Sequence, residues 1–505
     1  MAKSANKLTK TFFINTLIIV LTGFIIKILG LLNRILITRL LGTEGMSLYI
    51  LAFPTIAFFL NLAAFSLNIS TSKLISSSLI TRQYSPKQIL KKSLKISFFV
   101  SIIAIMILLA ILRPLATKWL NNAKLFFPLL TTALLIPLVG ISETLKGYFT
   151  GLKKMSIPSV ATLLEQLARI AFGIGFIILF LPYGMVLATT FTLLALSFGE
   201  MISIIFLLFR LKKQPLIHFE KTSGETKAVL SITIPNTLSR LIGSFSFFLE
   251  PICYTGTLLA LGYNNIAIET RYTIINAYAI PLMTMGSFLS FGIAQAVIPH
   301  ISENFSLGKT ESIRYLIRKC LAFSFIPGVL LSLVFYLFPL EFMKLIYNTS
   351  NGTAYLRPYV FLFVLYYLHP PVNAILQALG KAKMLFVTST IFNVLRVILI
   401  LLFAKIPFIG LDSIFWAILV TMVLSSITNI IQLLVITKYR FDVRLIINSL
   451  LLIIGTLAFT TFLGHFFHFS FLIDVLFTSF FFIFFAFSLK IISIESLIRK
   501  NPRST

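Results

Sequence analysis

Apolar stretches long enough to cross a bilayer follow one another almost from end to end of this chain. Hydrophobic residues occupy 58% of its 505 positions and charged residues only 11%, a balance that is far too apolar for a soluble core. Roughly 20 residues of helix cross the hydrocarbon core of a bilayer, which is about 30 Å thick. The sequence therefore predicts a protein that crosses a membrane many times.

Charged residues, proline and glycine divide these stretches into separate spans. Because lipid offers no hydrogen-bond partners, backbone groups must be satisfied within each span, which favours helices, and the short alternating segments of a membrane barrel are missing from the sequence. We predict an all-α polytopic membrane protein with about fourteen transmembrane helices. The predicted spans are 12–33, 46–66, 96–112, 125–145, 158–181, 184–209, 228–254, 272–299, 320–340, 358–380, 384–404, 411–437, 446–466 and 470–489.

Lysine and arginine are unevenly shared between the two sides of these spans. Of the 43 basic residues, thirty fall in the tails and the even-numbered loops, Lys146 among them, and seven fall in the odd-numbered loops. Cytoplasmic loops collect Lys and Arg, so we predict a multi-pass protein of the bacterial plasma membrane with both termini in the cytoplasm. The net charge of +28 is spread over short loops, which favours membrane lipids and not nucleic acid as the partner.

The longest strongly polar interval, 210–227, divides six predicted spans from the following eight. Across it, Lys27–Gly30 in the first span and Arg240–Gly243 in the seventh form a faint internal repeat. Transporters are commonly built from two such repeats that hold the substrate near the midplane. The predicted domains are an N-terminal lobe at 1–209, a cytoplasmic linker at 210–227, a C-terminal lobe at 228–437, and two further spans with a cytoplasmic tail at 438–505.

Six basic residues remain inside the predicted spans or directly at their ends, and a charge at the helix centre costs about 2.5 to 3.5 kcal/mol on insertion scales. Three acids, Glu165, Glu200 and Glu250, are set against these cations, and the resulting excess of positive charge favours an anionic substrate. Arginine binds phosphate through paired hydrogen bonds. Snorkelling helix ends and hidden pairs between helices are the alternative explanation. The six cations are Lys27, Arg34, Arg169, Arg240, Arg271 and Arg396.

Two of the spans present polar residues along one helical face. Lys27, Gly30 and Arg34 recur at i, i+3 and i+7. In the seventh span Arg240 and Glu250 end a stripe about 15 Å long, at 1.5 Å per residue. A stripe of this length can line a transport pathway. The predicted substrate-binding residues are Lys27, Arg34, Arg240, Glu250 and Arg271.

The remaining charges have structural explanations that compete with a substrate role. Arg169 lies four residues after Glu165, so helical spacing predicts an ion pair with a structural or coupling role. Arg396 has no close partner in the sequence and is expected to snorkel or to pair with another helix. Arg271 follows Glu269 at the start of its span, where a role at the membrane edge competes evenly with substrate binding.

Patterns for catalysis, metal binding and cofactor binding are missing from the sequence. There is no Walker A motif, so transport is expected to be driven by an ion gradient or by the charge of the substrate. Cys253 and Cys320 have no metal spacing and are expected to pack. His465 and His468 are expected to be an interfacial pair. A membrane glycosyltransferase or polymerase would need acidic clusters and a large catalytic loop, so we expect no enzyme, no cofactor and no metal.

Several segments together resemble the stage V sporulation protein B and polysaccharide flippase family of the multidrug/oligosaccharidyl-lipid/polysaccharide (MOP) exporter superfamily. The resemblance covers nearly the whole chain and implies two six-helix lobes around a central cavity, two extra C-terminal helices, and flipping of undecaprenyl-pyrophosphate-linked peptidoglycan precursor, lipid II. The segments are GLLNRILITRLLGTEGMSLY at 30–49, LKGYFTGLKKM at 145–155, LLEQLARI at 163–170, SRLIG at 239–243, FFLEPI at 247–252 and LQALG at 376–380.

One departure from the family pattern lies late in the second span, where relatives tend to carry Gly-Leu-Pro and this chain has Ser66, Leu67 and Asn68. A weaker bend is therefore expected there. Two alternatives to the lipid II flippase stay open: a flippase for another lipid-linked polysaccharide repeat, and a cation-coupled drug exporter of the same superfamily. The expected partners are a lipid-linked anionic glycan, membrane lipids and a coupling cation, Na⁺ or H⁺. A role in sporulation is not implied by the residues themselves.

Overall fold

The computed structural model describes residues 2–214, 224–439, 443–467, 470–489 and 491, with side chains described from 21 onward except at 443–446. Only the two ends of the predicted linker, 210–214 and 224–227, are among them. His468 and the predicted tail beyond 491 lie outside the described residues.

Helices make up the described chain, and no strand occurs in it. The helices are α1 (Ala2–Ala64), α2 (Leu67–Thr81), α3 (Pro86–Pro114), α4 (Phe126–Gly151), α5 (Ser156–Phe180), α6 (Met185–Lys212), α7 (Glu225–Ala260), α8 (Asn265–Thr273), α9 (Ile280–Met283), α10 (Ser287–Ser306), α11 (Thr310–Leu337), α12 (Pro339–Tyr347), α13 (Thr353–Tyr359), α14 (Val364–Ala378), α15 (Ala382–Ala404), α16 (Ser413–Thr437), α17 (Val443–Phe466) and α18 (Phe471–Ser488). The predicted all-α class is confirmed.

Eleven helical segments of the described chain are long and apolar enough to cross a membrane, or twelve if the bent pair Asn265–Met283 and Ser287–Ser306 forms one span. The first segment, Leu21–Thr81, has 61 residues, which is enough for two crossings at roughly 20 residues each. The 36-residue α7 is not among the eleven. The protein is thus a polytopic membrane protein, and the count of fourteen spans stays a prediction.

Two breaks interrupt the first long segment. Within α1, Gly42 has φ 59° and ψ −165°, a conformation that L-residues avoid. Between α1 and α2, Phe65 and Ser66 have φ of 42° and 47°. The helix ends at Ala64 and starts again at Leu67, although neither glycine nor proline is present there, and the expectation of a weaker bend than in relatives stays a prediction.

One compact unit comprises Met1–Ala277 and Phe386–Thr421. In it α4 approaches α2 closely at Gly147, where an added Cβ would lie 2.7 Å from the carbonyl oxygen of Asn68. Gly151, one turn further, would place a Cβ 2.7 Å from the Cβ of Ile75. This Gly-x-x-x-Gly spacing allows two membrane helices to pack backbone against backbone.

The other compact unit comprises Tyr278–Leu385 and Met422–Thr505. Its core lies between α10, α11 and α14, where the Tyr367 hydroxyl donates to the Met283 carbonyl at 2.5 Å. The side chains of His369 and Asn429, a buried asparagine, approach each other to 3.1 Å. These units are defined by packing, and the lobe boundaries expected from the sequence stay a prediction.

Candidate substrate site

Helix α1 carries Lys27 and Arg34 on the face that the sequence indicates. Lys27 has an exposed side chain and Arg34 is half-buried. The Arg34 guanidinium donates from Nη2 to the main-chain oxygen of Asn276 at 2.6 Å. Asn276 lies in a π-helical turn, 274–279, a feature that is frequent at functional sites. This hydrogen bond orients the guanidinium but, because its acceptor is neutral, does not cancel its charge.

A cavity of about 170 Å³ lies beside Arg34. Asn33 and Tyr49 are its other polar lining residues, and its remaining walls are apolar or glycine, including Gly30 and Phe53. The Oδ1 atom of Asn33 is buried and accepts no hydrogen bond from the described residues. The cavity therefore combines one cation with polar groups in apolar surroundings, which is a suitable environment for an anionic group.

The two predicted site residues on helix α7 differ in their exposure to solvent. Arg240 has an exposed side chain, whereas Glu250 is only 3% exposed. The Glu250 carboxylate accepts a hydrogen bond from Arg396 Nη1 on α15 at 2.9 Å, and Arg396 Nε points to the Thr421 hydroxyl at 3.3 Å. Glu250 is thus held in a salt bridge between two helices, and of the two only Arg240 is presented at the surface.

Arg271 on α8 pairs with Asp412 at 3.3 Å, and both side chains are about one third exposed. The sequence placed Glu269 next to it. That carboxylate instead accepts hydrogen bonds from Asn122 at 3.0 Å and from Asn265 at 2.7 Å. A polar pocket of about 560 Å³ surrounds Glu269.

A network of buried ion pairs joins α4, α5 and α6. Glu165 lies 2.6 Å from Arg169 on its own helix and 2.7 Å from Lys146 on α4. Arg169 also bonds Glu200 on α6 at 2.8 Å, and Glu143 lies 3.4 Å from Lys146. Because each carboxylate has a cation within bonding distance, the network links three helices without leaving a buried charge isolated.

Sequence reasoning missed three members of these clusters. It assigned Lys146 to a loop, but α4 continues to Gly151 and buries that side chain to 6% exposure. A signal was available, since 146–151 contains no proline and Glu143 lies three residues earlier. The count of acids also left out Glu143 and Asp412, which lie at the ends of predicted spans. Asp474, inside the last predicted span, was also left out; with all three included, six acids equal the six cations, and the count alone gives no excess of positive charge.

Comparison with known proteins gives the family. Residues 12–305, well over half of the chain, match the family model described as polysaccharide biosynthesis protein, and residues 276–402 match the MatE model. Stage V sporulation protein B of Bacillus subtilis (strain 168) is 30% identical over 429 residues, which is 83% of each chain. The lipid II flippase MurJ of the same organism is 24% identical over 80% of this chain and 79% of that protein.

A solved structure of a lipid II flippase MurJ in an inward closed conformation has the same fold. Its TM-score is 0.69 at 16% identity, and the match covers 96% of this chain and 100% of that one. At this level of identity the similarity concerns the fold alone. The match to the family model over residues 12–305 and the 30% identity to stage V sporulation protein B show that this protein belongs to the polysaccharide biosynthesis protein family.

Proposed function

We propose that the protein translocates an undecaprenyl-pyrophosphate-linked cell-wall precursor, first of all peptidoglycan lipid II, across the bacterial plasma membrane by alternating access. The names of two relatives, stage V sporulation protein B and lipid II flippase MurJ, support a precursor of this class. A pyrophosphate needs a cationic binding site inside an apolar protein, and the chain offers candidates on α1 and α7.

The position of Arg34 is the observation that carries this proposal. Its guanidinium borders a cavity together with Asn33 and Tyr49, and its oriented fork can form two parallel hydrogen bonds to phosphate oxygens. The intramembrane acids Glu165 and Glu250 are engaged by other cations, as described above. We assign the pyrophosphate to Arg34, with Lys27 on the same helix and Arg240 on α7 as further contacts.

Glu250 and Arg271 have supporting roles in this proposal. Glu250 holds Arg396 in a salt bridge of 2.9 Å, and Arg271 pairs with Asp412, so each stabilises the helices that carry the site. Glu165 and Arg169 belong to the buried network and keep α5 in register with its neighbours. A coupling cation, Na⁺ or H⁺, would use carboxylates of this kind.

The membrane potential can drive the proposed reaction without a nucleotide. An anion that moves outward across an inside-negative membrane gains about 2.3 kcal/mol per charge per 100 mV. A doubly charged pyrophosphate group therefore has a substantial driving force at ordinary potentials. Collapse of the potential is expected to slow flipping more than removal of Na⁺ does.

Reconstitution into liposomes tests the proposal directly. Lipid II, a lipid-linked teichoic acid precursor and a lipid-linked capsular repeat are offered in turn, and exposure of each on the opposite leaflet is measured. We expect fast flipping of lipid II, at least a tenfold loss in the double variant Arg34→Ala, Arg240→Ala, and partial activity in the corresponding lysine variants, because lysine keeps the charge but not the fork.

The matched control is Lys381→Ala, Lys383→Ala, which removes two exposed cations from outside the proposed site and should flip at the wild-type rate. The thermal midpoint and gel-filtration profile of each variant show whether it is folded. Wild-type flipping by a folded Arg34→Ala, Arg240→Ala protein would exclude this pair as the pyrophosphate site.

A second candidate function is a cation-coupled drug exporter, which the match of residues 276–402 to the MatE model favours. Cationic drugs require acidic side chains in the transport pathway. The same liposomes can be tested with a cationic dye and a Na⁺ or H⁺ gradient. Dye export without lipid II flipping would select this function over the first.

A further inference from the structure

Three lysines form a stripe on the first turns of α3. Lys87, Lys91 and Lys95 are spaced four residues apart, so they lie on one helical face, and all three side chains are exposed. The stripe is about 12 Å long at 1.5 Å per residue. No ion pair joins these lysines to any side chain in the described part of the chain.

The same face of α3 continues directly into an apolar surface. Phe98 and Phe99 are each 63% exposed, and Ile102, Ile103 and Met106 follow them, at 38% to 58%. Such a surface on a membrane protein faces the acyl chains of the bilayer. The lysines therefore lie at the level where lipid headgroups meet the hydrocarbon core.

The stripe borders a groove of about 630 Å³ between α3, α4 and α6. Tyr148 of α4 and Leu211 of α6 line the groove together with the lysines, and Leu94, between Lys91 and Lys95 in the sequence, adds an apolar side chain. Gln214 also lines the groove, and its Oε1 accepts a hydrogen bond from Lys154. One end of the groove is thus cationic and the other apolar.

We infer that this groove binds an anionic glycerophospholipid of the surrounding bilayer. The phosphate lies among Lys87, Lys91 and Lys95, and an acyl chain runs along Leu94, Phe98 and Phe99. The charge pattern selects an anionic over a zwitterionic headgroup, since three lysines line the groove and none of its described lining residues is acidic. The predicted topology places this site in the cytoplasmic leaflet.

Topology alone does not account for this arrangement. Lysines that only fix orientation need to be on the correct side of the membrane, and Lys73, Lys153 and Lys227 are exposed on that predicted side without lining the groove. These three lysines provide a matched control, because their replacement removes the same total charge from the same unit of the protein.

Binding of phosphatidylglycerol to the delipidated full-length protein in nonionic detergent tests the inference, with native mass spectrometry as the readout. Each lysine near an anionic headgroup is worth about fivefold in affinity. The variant K87Q/K91Q/K95Q should therefore bind phosphatidylglycerol more than tenfold more weakly than wild type. The variant K73Q/K153Q/K227Q should stay within about twofold of wild type. Wild-type binding should weaken as salt is added.

Comparison ligands separate the lipid from other phosphates. Phosphatidylcholine and inorganic phosphate should each bind at least tenfold more weakly than phosphatidylglycerol, since one lacks net charge and the other lacks an acyl chain. Equal loss in both triple variants, or undiminished binding in K87Q/K91Q/K95Q, would overturn the site. Tighter binding of a polyprenyl pyrophosphate than of phosphatidylglycerol, lost in the same variant, would assign the groove to the transported substrate instead.

Discussion

A carboxylate buried among apolar helices is costly unless a cation lies against it. Glu250 has a side chain that is 4% exposed, and Arg396 is its partner at 2.9 Å. Arg271 and Asp412 also form a pair, but their side chains are 39% and 31% exposed. The two pairs therefore differ in how strongly stability should depend on them.

We expect Arg396→Met to destabilise the protein by about 3 to 5 kcal/mol, because it leaves the charge of Glu250 buried without its cation. The double variant Arg396→Met, Glu250→Gln should recover most of this loss. Arg271→Met should cost less than about 1 kcal/mol, as water screens a half-exposed pair. Unfolding in detergent, followed through the thermal midpoint, measures all three variants.

Equal destabilisation by Arg396→Met and Arg271→Met would show that burial of Glu250 does not control the strength of its pair. Failure of the double variant to recover stability would show that Arg396 acts mainly through its packing. Both results are readable only for protein that elutes as a monodisperse peak before heating.

Sequence separation decides which of these contacts could be predicted. Glu165 and Arg169 are four residues apart, so the helical repeat alone indicated their pair. The pair of Glu250 and Arg396 spans 146 positions, and no local pattern reports such a contact. The contact of Lys146 with Glu165 on the next helix is equally non-local, although the proline-free run 146–151 was a local signal that Lys146 belongs to α4.

At the scale of the elements, apolar runs predict helices well and predict their interruptions poorly. The expected gap at 34–45 between the first two spans is helical apart from a kink at Gly42. The helix also breaks at Phe65 and Ser66, where the sequence has neither glycine nor proline. Tertiary packing overrides the local preference there, because Ser66 is 2% exposed in a conformation that L-residues adopt only with strain.

We therefore expect Ser66→Gly to stabilise the protein by about 1 kcal/mol. Glycine adopts a φ of 47° without the steric cost that a Cβ adds. The change also removes a buried hydroxyl that has no hydrogen-bond partner among the described residues. The thermal midpoint in detergent, compared with that of wild type, measures the effect.

Ser70→Gly is the matched control, because Ser70 lies in α2 with the same buried character but with helical hydrogen bonds. Glycine within a helix is expected to lower stability by about 0.5 to 1 kcal/mol. Stabilisation in both variants, or in neither, would contradict the assignment of strain to Ser66.

At the scale of the whole molecule, the fold class and the family follow from features that extend over the entire chain. Both depend on hydropathy and on short family segments that together involve hundreds of residues. A single error, such as the placement of Lys146 in a loop, therefore does not alter the predicted fold class or family. The substrate and the orientation in the membrane depend on far fewer groups. Orientation rests on the distribution of basic residues between loops and stays a prediction.

The last prediction concerns that orientation. Because thirty basic residues fall on one predicted side and seven on the other, the richer side is expected to be cytoplasmic. Single cysteines at Lys92, Lys153 and Lys383 should be shielded in intact cells from an impermeant thiol reagent, and one at Lys344 should react. Permeabilisation should make all four reactive, which shows that the first three are shielded by the membrane and not by the protein. Replacement of the native Cys253 and Cys320 by alanine supplies the background, and labelling of the first three positions in intact cells would reverse the orientation.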